Sequence, residues 1–141
     1  MPRHTKKGRS KTGGQFVPIP YRMARSLAWR SLSGSGVKVY VELRSRYNGR
    51  NNGDLSLSYG EAAGLLGLGK TTIKRAFDEL AEKGFIIRMS EGHWYGRRAA
   101  TWAVTDQTID MPKFGPATNN WKCWPRRQNS ELGTHTERKA A

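Results

Sequence analysis

The sequence predicts a single α+β domain, a small helical bundle followed by a β-hairpin, carried between flexible basic tails. Three observations lead there. Apolar residues recur at helical spacing in segments between positions 21 and 83. Two short runs rich in β-branched and aromatic residues follow, one on each side of a glycine-containing turn. The charge is uneven along the chain: Lys and Arg number 25 against 11 Asp and Glu, a formal +14 over 141 residues.

The charge distribution sets the expected boundaries. Residues 1–15 hold Arg3, Lys6, Lys7, Arg9 and Lys11, no acid and almost no apolar side chain. Residues 108–141 carry six bases, three acids and three prolines. Such polar, charged stretches bury too little surface to offset chain entropy. The expected organisation is therefore a flexible basic arm at 1–15, a folded domain at 16–106 and a polar, basic, flexible tail at 107–141. The longest run without a charge or strong polar group, Ala62 to Gly69, is far too short to span a bilayer, and no apolar stretch near Met1 resembles a secretory signal. With Cys123 alone and His4, His93 and His135 scattered, there is no intramolecular disulfide and no metal-ligand spacing. No cofactor is expected. A cytoplasmic, nucleoid-associated protein with a polyanionic partner fits this balance.

Taken in order, Pro18 and Pro20 bound an extended entry, and Tyr21 to Leu32 reads as one irregular or broken helix. Ser33-Gly34-Ser35-Gly36 breaks the chain and offers a cap. Val37, Tyr40, Val41, Leu43 and Tyr47 fall at helical spacing, with Lys38, Glu42 and Arg46 at i,i+4 on the opposite face. The run from Asn48 to Gly53 is a loop, and Leu55-Ser56-Leu57 alternates as a very short strand. Ser58-Tyr59-Gly60-Glu61 has the form of a capping box, in which Glu61 would reach back to Ser58. The helix it opens presents Ala62, Ala63, Leu65 and Leu66. After Gly67-Leu68-Gly69, a second helix is expected from Lys70 to Lys83, with Ile73, Ala76, Phe77 and Leu80 as its apolar stripe and Gly84 as its C′ residue. Phe85 to Met89 and Ala100 to Val104 read as the two strands of a hairpin.

Two helices joined by a short glycine-containing turn are a helix-turn-helix signature. Ala63 lies four residues before Gly67, Leu68 follows it and Ile73 comes six residues after it. With the hairpin added, residues 16–106 resemble the winged helix-turn-helix superfamily. The stretch from Leu57 through Ile86 is similar to winged-helix regions of bacterial phage and plasmid repressors and replication initiators. Three glycines, Gly64, Gly67 and Gly69, stand where such turns usually carry one. The resemblance implies sequence-specific binding of double-stranded DNA, most simply by a transcriptional regulator and not an enzyme, with helix 70–83 in the major groove and the turn at 91–98 on the backbone or minor groove.

The residues of that second helix suit the role. Its solvent face carries bases toward the N-terminus and acids toward the C-terminus, so entry by the N-terminus brings Lys70, Thr71, Thr72, Lys74 and Arg75 to DNA. Arg75 matches guanine O6 and N7, and the threonines match a thymine methyl or a phosphate. Arg97 and Arg98 of the turn are expected on phosphate, while Trp94 and Tyr95 close the hairpin equally well. The arm bases Arg3, Lys6, Lys7, Arg9 and Lys11 are expected to track the DNA backbone. Two copies are expected to pair on DNA as a homodimer, through Met23, Leu27 and Trp29 or through the Trp121–Trp124 segment; the alternative is that these side chains complete the monomer's core.

One match competes. Gly64-Leu65-Leu66-Gly67-Leu68-Gly69-Lys70-Thr71 fits the P-loop pattern G-x-x-x-x-G-K-T. That pattern requires a buried strand feeding the loop, whereas Glu61-Ala62-Ala63 reads as helix, so nucleotide binding ranks last. A plasmid or phage replication or maintenance factor, and an RNA-binding basic protein, are the nearer alternatives.

Overall fold

Serine side chains open three of the helices. The computed structural model describes residues 14–92 and 99–125, in which five α-helices and three strands form an α+β unit. The expected broken helix is two single turns, α1 (Tyr21–Ala24) and α2 (Leu27–Arg30). They part at Ser26, whose hydroxyl accepts the Trp29 N–H and donates to the Met23 carbonyl at 2.6 Å. α3 (Gly34–Ser45) starts three residues before its first apolar position, because Ser33 Oγ accepts the Gly36 N–H at 3.0 Å. α4 (Tyr59–Leu66) starts at Ser58, which accepts the Glu61 N–H at 3.1 Å. The capping box stays half closed: Glu61 turns instead to Arg46, whose Nη2 lies 2.9 Å from Glu61 Oε1 and 3.2 Å from Glu42. A guanidinium offers the carboxylate a charged donor, which outweighs a neutral backbone amide.

α5 (Lys70–Glu82) buries Ile73, Ala76, Phe77 and Leu80, the stripe its spacing predicts. It packs along α3, crosses α4 and leans on the sheet. The sheet is antiparallel in the order β1-β3-β2, from β1 (Leu55–Ser56), β2 (Ile86–Ser90) and β3 (Thr101–Val104). Leu55 pairs with Trp102, and Trp102 with Arg88; a bulge then offsets β2, so that Ser90 pairs with Thr101. Two aromatic groups fill the interior. Trp29, Tyr40 and Phe85 meet edge to face, and Phe77 lies between Tyr59 and Trp102.

The folded unit runs past the boundary at 106 that composition suggests. Residues 107–125 return across the domain: the Asn119 N–H donates to the Thr105 carbonyl at 2.8 Å, and a 3-10 turn at Asn120–Cys123 buries Trp121 to 4% exposure. Trp124 packs against the core, with the Lys83 ammonium 5.0 Å from its ring centre. Gly84, at φ +85°, admits this segment; a Cβ there would sit 2.6 Å from the Asn120 carbonyl carbon. Two large aromatic side chains supply enough burial to order a stretch whose average composition is polar. Met23, Trp29 and Trp121, expected on a dimer surface, are thus spent on the protein's own core, and of the first-helix set only Leu27 is exposed. Leu65, expected on the apolar side of α4, is also exposed.

Asn52, fully buried in the loop after α3, joins these parts. Its Nδ2 donates to the carbonyls of Val104, Gln107 and Thr108 at 2.9, 3.2 and 2.8 Å. Its Oδ1 accepts the Val104 N–H at 2.8 Å, and its own carbonyl accepts the N–H groups of Asp110 and Met111. Removing the amide strands several buried backbone groups at once. Asn52→Ala is expected to lower the unfolding free energy by about 3 kcal/mol, read as a fall in the urea midpoint. Asn52→Asp, which turns an oxygen toward those carbonyls, should cost more.

Candidate nucleic-acid interface

The turn between α4 and α5 is built by backbone geometry alone. Gly67 ends α4 at φ 66°, a left-handed conformation that glycine adopts without a Cβ penalty. The N–H groups of Gly67 and Leu68 both reach the Ala63 carbonyl, at 3.0 and 3.2 Å. Gly69 is the N-cap of α5 and has no side chain to accept the first amides, whereas Ser26, Ser33 and Ser58 cap theirs. The amides at the start of α5 are therefore left pointing outward, at the positive end of the helix dipole. Gly64 lies within α4, so a helix and not a strand leads into the Gly64–Thr71 run, and the context a P-loop requires is missing.

Around that helix start the structure exposes all five expected side chains, Lys70, Thr71, Thr72, Lys74 and Arg75. They are not equivalent. Lys70 bends back along α4, so that a Cβ on Gly60 would lie 3.6 Å from its Cε and 3.9 Å from its Nζ. Lys74 faces Asp78 at 3.3 Å, and both side chains are more than 60% exposed; so weak a pair opens readily for a phosphate. Arg75 makes no ion pair among the described residues. Beyond this first turn and a half, the helix changes sign at Asp78, Glu79 and Glu82.

Glu79 is drawn away from the solvent face. Its carboxylate accepts the Ser33 N–H at 2.7 Å and the Ser33 hydroxyl at 2.9 Å, with the Lys83 ammonium at 3.3 Å. Lys83 also donates to the Ser31 carbonyl at 2.9 Å. This clamp ties the C-terminal half of α5 to the start of α3 and leaves the N-terminal half projecting. Elsewhere, Arg44 is buried against Asp106, and the partly exposed Arg46 pairs with Glu42 and Glu61. Five of the nine described acids are thus held in ion pairs, whereas Arg22, Arg25, Arg30, Lys70, Arg75 and Arg88 make none among the described residues.

Arg88 is a further exposed base that the sequence did not single out. It is exposed on β2, in register with Trp102, with its guanidinium 5.4 Å from that ring's centre. Trp102 in turn stacks on Phe77 of α5. The sequence offers one arginine in an alternating strand and nothing that marks its face; strand register supplies that. Arg97 and Arg98, the tip residues His93, Trp94 and Tyr95, and the arm bases Arg3, Lys6, Lys7, Arg9 and Lys11 all lie outside the described residues. A cleft of about 630 Å³ is lined by Ser56, Ser90, Thr101 and the acidic residues Asp54 and Glu91, and its charge is wrong for a polyanion. Among the described residues, no group of three or more His, Cys, Asp or Glu could share a metal ion, and no helix is long and apolar enough to cross a membrane. No protein-family model, curated protein or solved structure matches the chain.

Partial burial alone would push the Glu79 carboxyl up; the Ser33 and Lys83 donors outweigh it and hold the group below its ordinary value. A carboxyl lowered by folding stabilises the protein above its unfolded pKa, and that stability drains as pH falls through the lower, folded value. The melting temperature should therefore drop as pH falls below about 4. Glu79→Gln, which cannot ionise, should flatten that part of the profile and cost about 1 kcal/mol at neutral pH. Melting curves of both proteins from acid to neutral pH measure both effects.

Proposed function

We propose that this chain is a sequence-specific double-stranded DNA-binding protein of winged helix-turn-helix type, acting as a transcriptional regulator. One observation carries the reading: α5 is seated by Ile73, Ala76, Phe77 and Leu80 while its first two turns project Lys70, Thr71, Thr72, Lys74 and Arg75, with Glu79 pulled back to α3. A helix held this way enters a major groove by its N-terminus, offering amides and bases to phosphate and one planar guanidinium to base edges. The order of elements supports it as well. A helix pair with a tight glycine turn is followed by an antiparallel hairpin, whose second strand pairs with the short strand before α4. Arg88 adds an exposed base on β2, the first strand of that hairpin.

The readout is assigned to Arg75 and the general attraction to charges such as Lys6. Arg75→Ala is expected to cost about 1–3 kcal/mol on the preferred site and to flatten the preference among sites, as a lost bidentate base contact does. Lys6→Ala should weaken all sequences about equally and shrink the slope of log affinity against log salt by roughly one. Fluorescence anisotropy on duplexes selected from a random library, over a salt series, measures both. An Arg75→Ala protein that folds and keeps both affinity and preference would remove α5 as the reader.

A further inference from the structure

The positive charge of the described fold is concentrated away from α5. Residues 14–41 hold Arg22, Arg25, Arg30 and Lys38 and no acid, whereas the rest of the described chain has ten bases against nine acids. These arginines are exposed on and beside α1 and α2, whose buried side chains are Met23 and Ala28. Just before them in the chain are two aromatic side chains of a kind that a folded protein ordinarily covers: Phe16 is 81% exposed and Tyr21 79%. The Arg25 guanidinium lies over the Tyr21 ring, 5.2 Å from its centre, and leaves most of that ring in water.

Exposed rings set among unpaired arginines are the chemistry of single-stranded nucleic acid recognition. A flat ring stacks on any unstacked base, which a closed duplex does not offer it, and the guanidinium takes the adjoining phosphate. We propose that the outer side of α1 and α2, with Phe16, Tyr21, Arg22 and Arg25, binds an unpaired DNA strand. The proposal rests on the duplex reading above: a domain that grips a duplex through α5 would use this second surface for a single strand leaving that duplex. Two other occupants fit less well. A second copy would bring like charge against like charge, because the patch has no acid with which to complement itself. A membrane surface calls for a continuous amphipathic helix, and α1 and α2 are one turn each.

The test compares a blunt duplex carrying the selected site, the same duplex with a single-stranded tail of about ten thymidines, and that duplex with an RNA tail of the same length. The full chain should bind the DNA-tailed duplex about tenfold more tightly than the blunt one, as one or two stacked bases would give. The double substitution Phe16→Ala and Tyr21→Ala, at two exposed positions, should abolish that gain and leave blunt-duplex affinity within about twofold. Arg75→Ala should do the reverse, weakening blunt and tailed duplexes alike while the gain from the tail persists. The duplex reading and this one therefore fail separately. Equal affinity of the wild-type chain for blunt and tailed duplexes would overturn the proposal. So would a gain that survives the double substitution, an RNA tail bound more tightly than the DNA tail, or binding to anionic phospholipid vesicles that the double substitution removes.

Discussion

The buried amide of Asn52 is the constraint on which the arrangement of the other parts depends. It binds the end of β3 and the turn beyond it from a loop some fifty residues earlier in sequence, at Val104, Gln107 and Thr108. A buried polar group tolerates few geometries, because each donor left unmet carries its full desolvation cost. That demand sets the sheet against the helices and starts residues 107–125 on their return path. The return places Trp121 under α2 and Trp124 beside Lys83, at the C-terminal end of α5. The clamp of Lys83, Glu79 and Ser33 then orients α5 along α3.

A second theme is where the acids go. Among the described residues, Glu42, Glu61, Asp106 and Glu79 are held in bridges that join elements or brace α3, whereas Asp78 pairs with Lys74 within α5 at an open surface. A chain with 25 bases and 11 acids gains from using its few carboxylates as internal fasteners, where partial burial strengthens each contact. Among the described residues, the outward-facing positive charge includes the start of α5 and the α1–α2 corner. On α5 the charges surround a helix terminus that already favours anions. At α1 and α2 they accompany exposed aromatic rings, with Arg25 over that of Tyr21. The two surfaces have different chemistry although both attract phosphate.

Much of the architecture was legible before any coordinates. Ser58 announced its helix because a hydroxyl at an N-cap satisfies an amide that the helix cannot; the run Ser33–Gly36 offered a cap but read as a break, and Gly34–Gly36 belong to α3. The stripe of Ile73, Ala76, Phe77 and Leu80 announced the buried side of α5, and Gly67 and Gly84 announced the turns. The exposed group from Lys70 to Arg75 followed from the same helical period. Other features were not legible. Glu61 satisfied the capping-box pattern, yet its carboxylate answers to Arg46, which is fifteen residues away in sequence and adjacent in space. Leu65 had the composition of a core residue and faces water. Arg88 had no mark of its face until its strand was registered against Trp102.

By itself, the sequence determined what local forces decide: helix starts and stops, the α5 stripe, the turn glycines and the excess of positive charge. These depend on residues within a few positions of one another, where spacing, caps and propensity act directly. Only the tertiary structure decided that residues 107–125 belong to the domain, that Met23, Trp29 and Trp121 are core and not surface, and which carboxylates remain free. Each of those outcomes is a competition among partners distant in sequence. Burial and charged hydrogen bonds reward whichever partner the chain's path brings close, and composition averaged along the chain carries no record of that path.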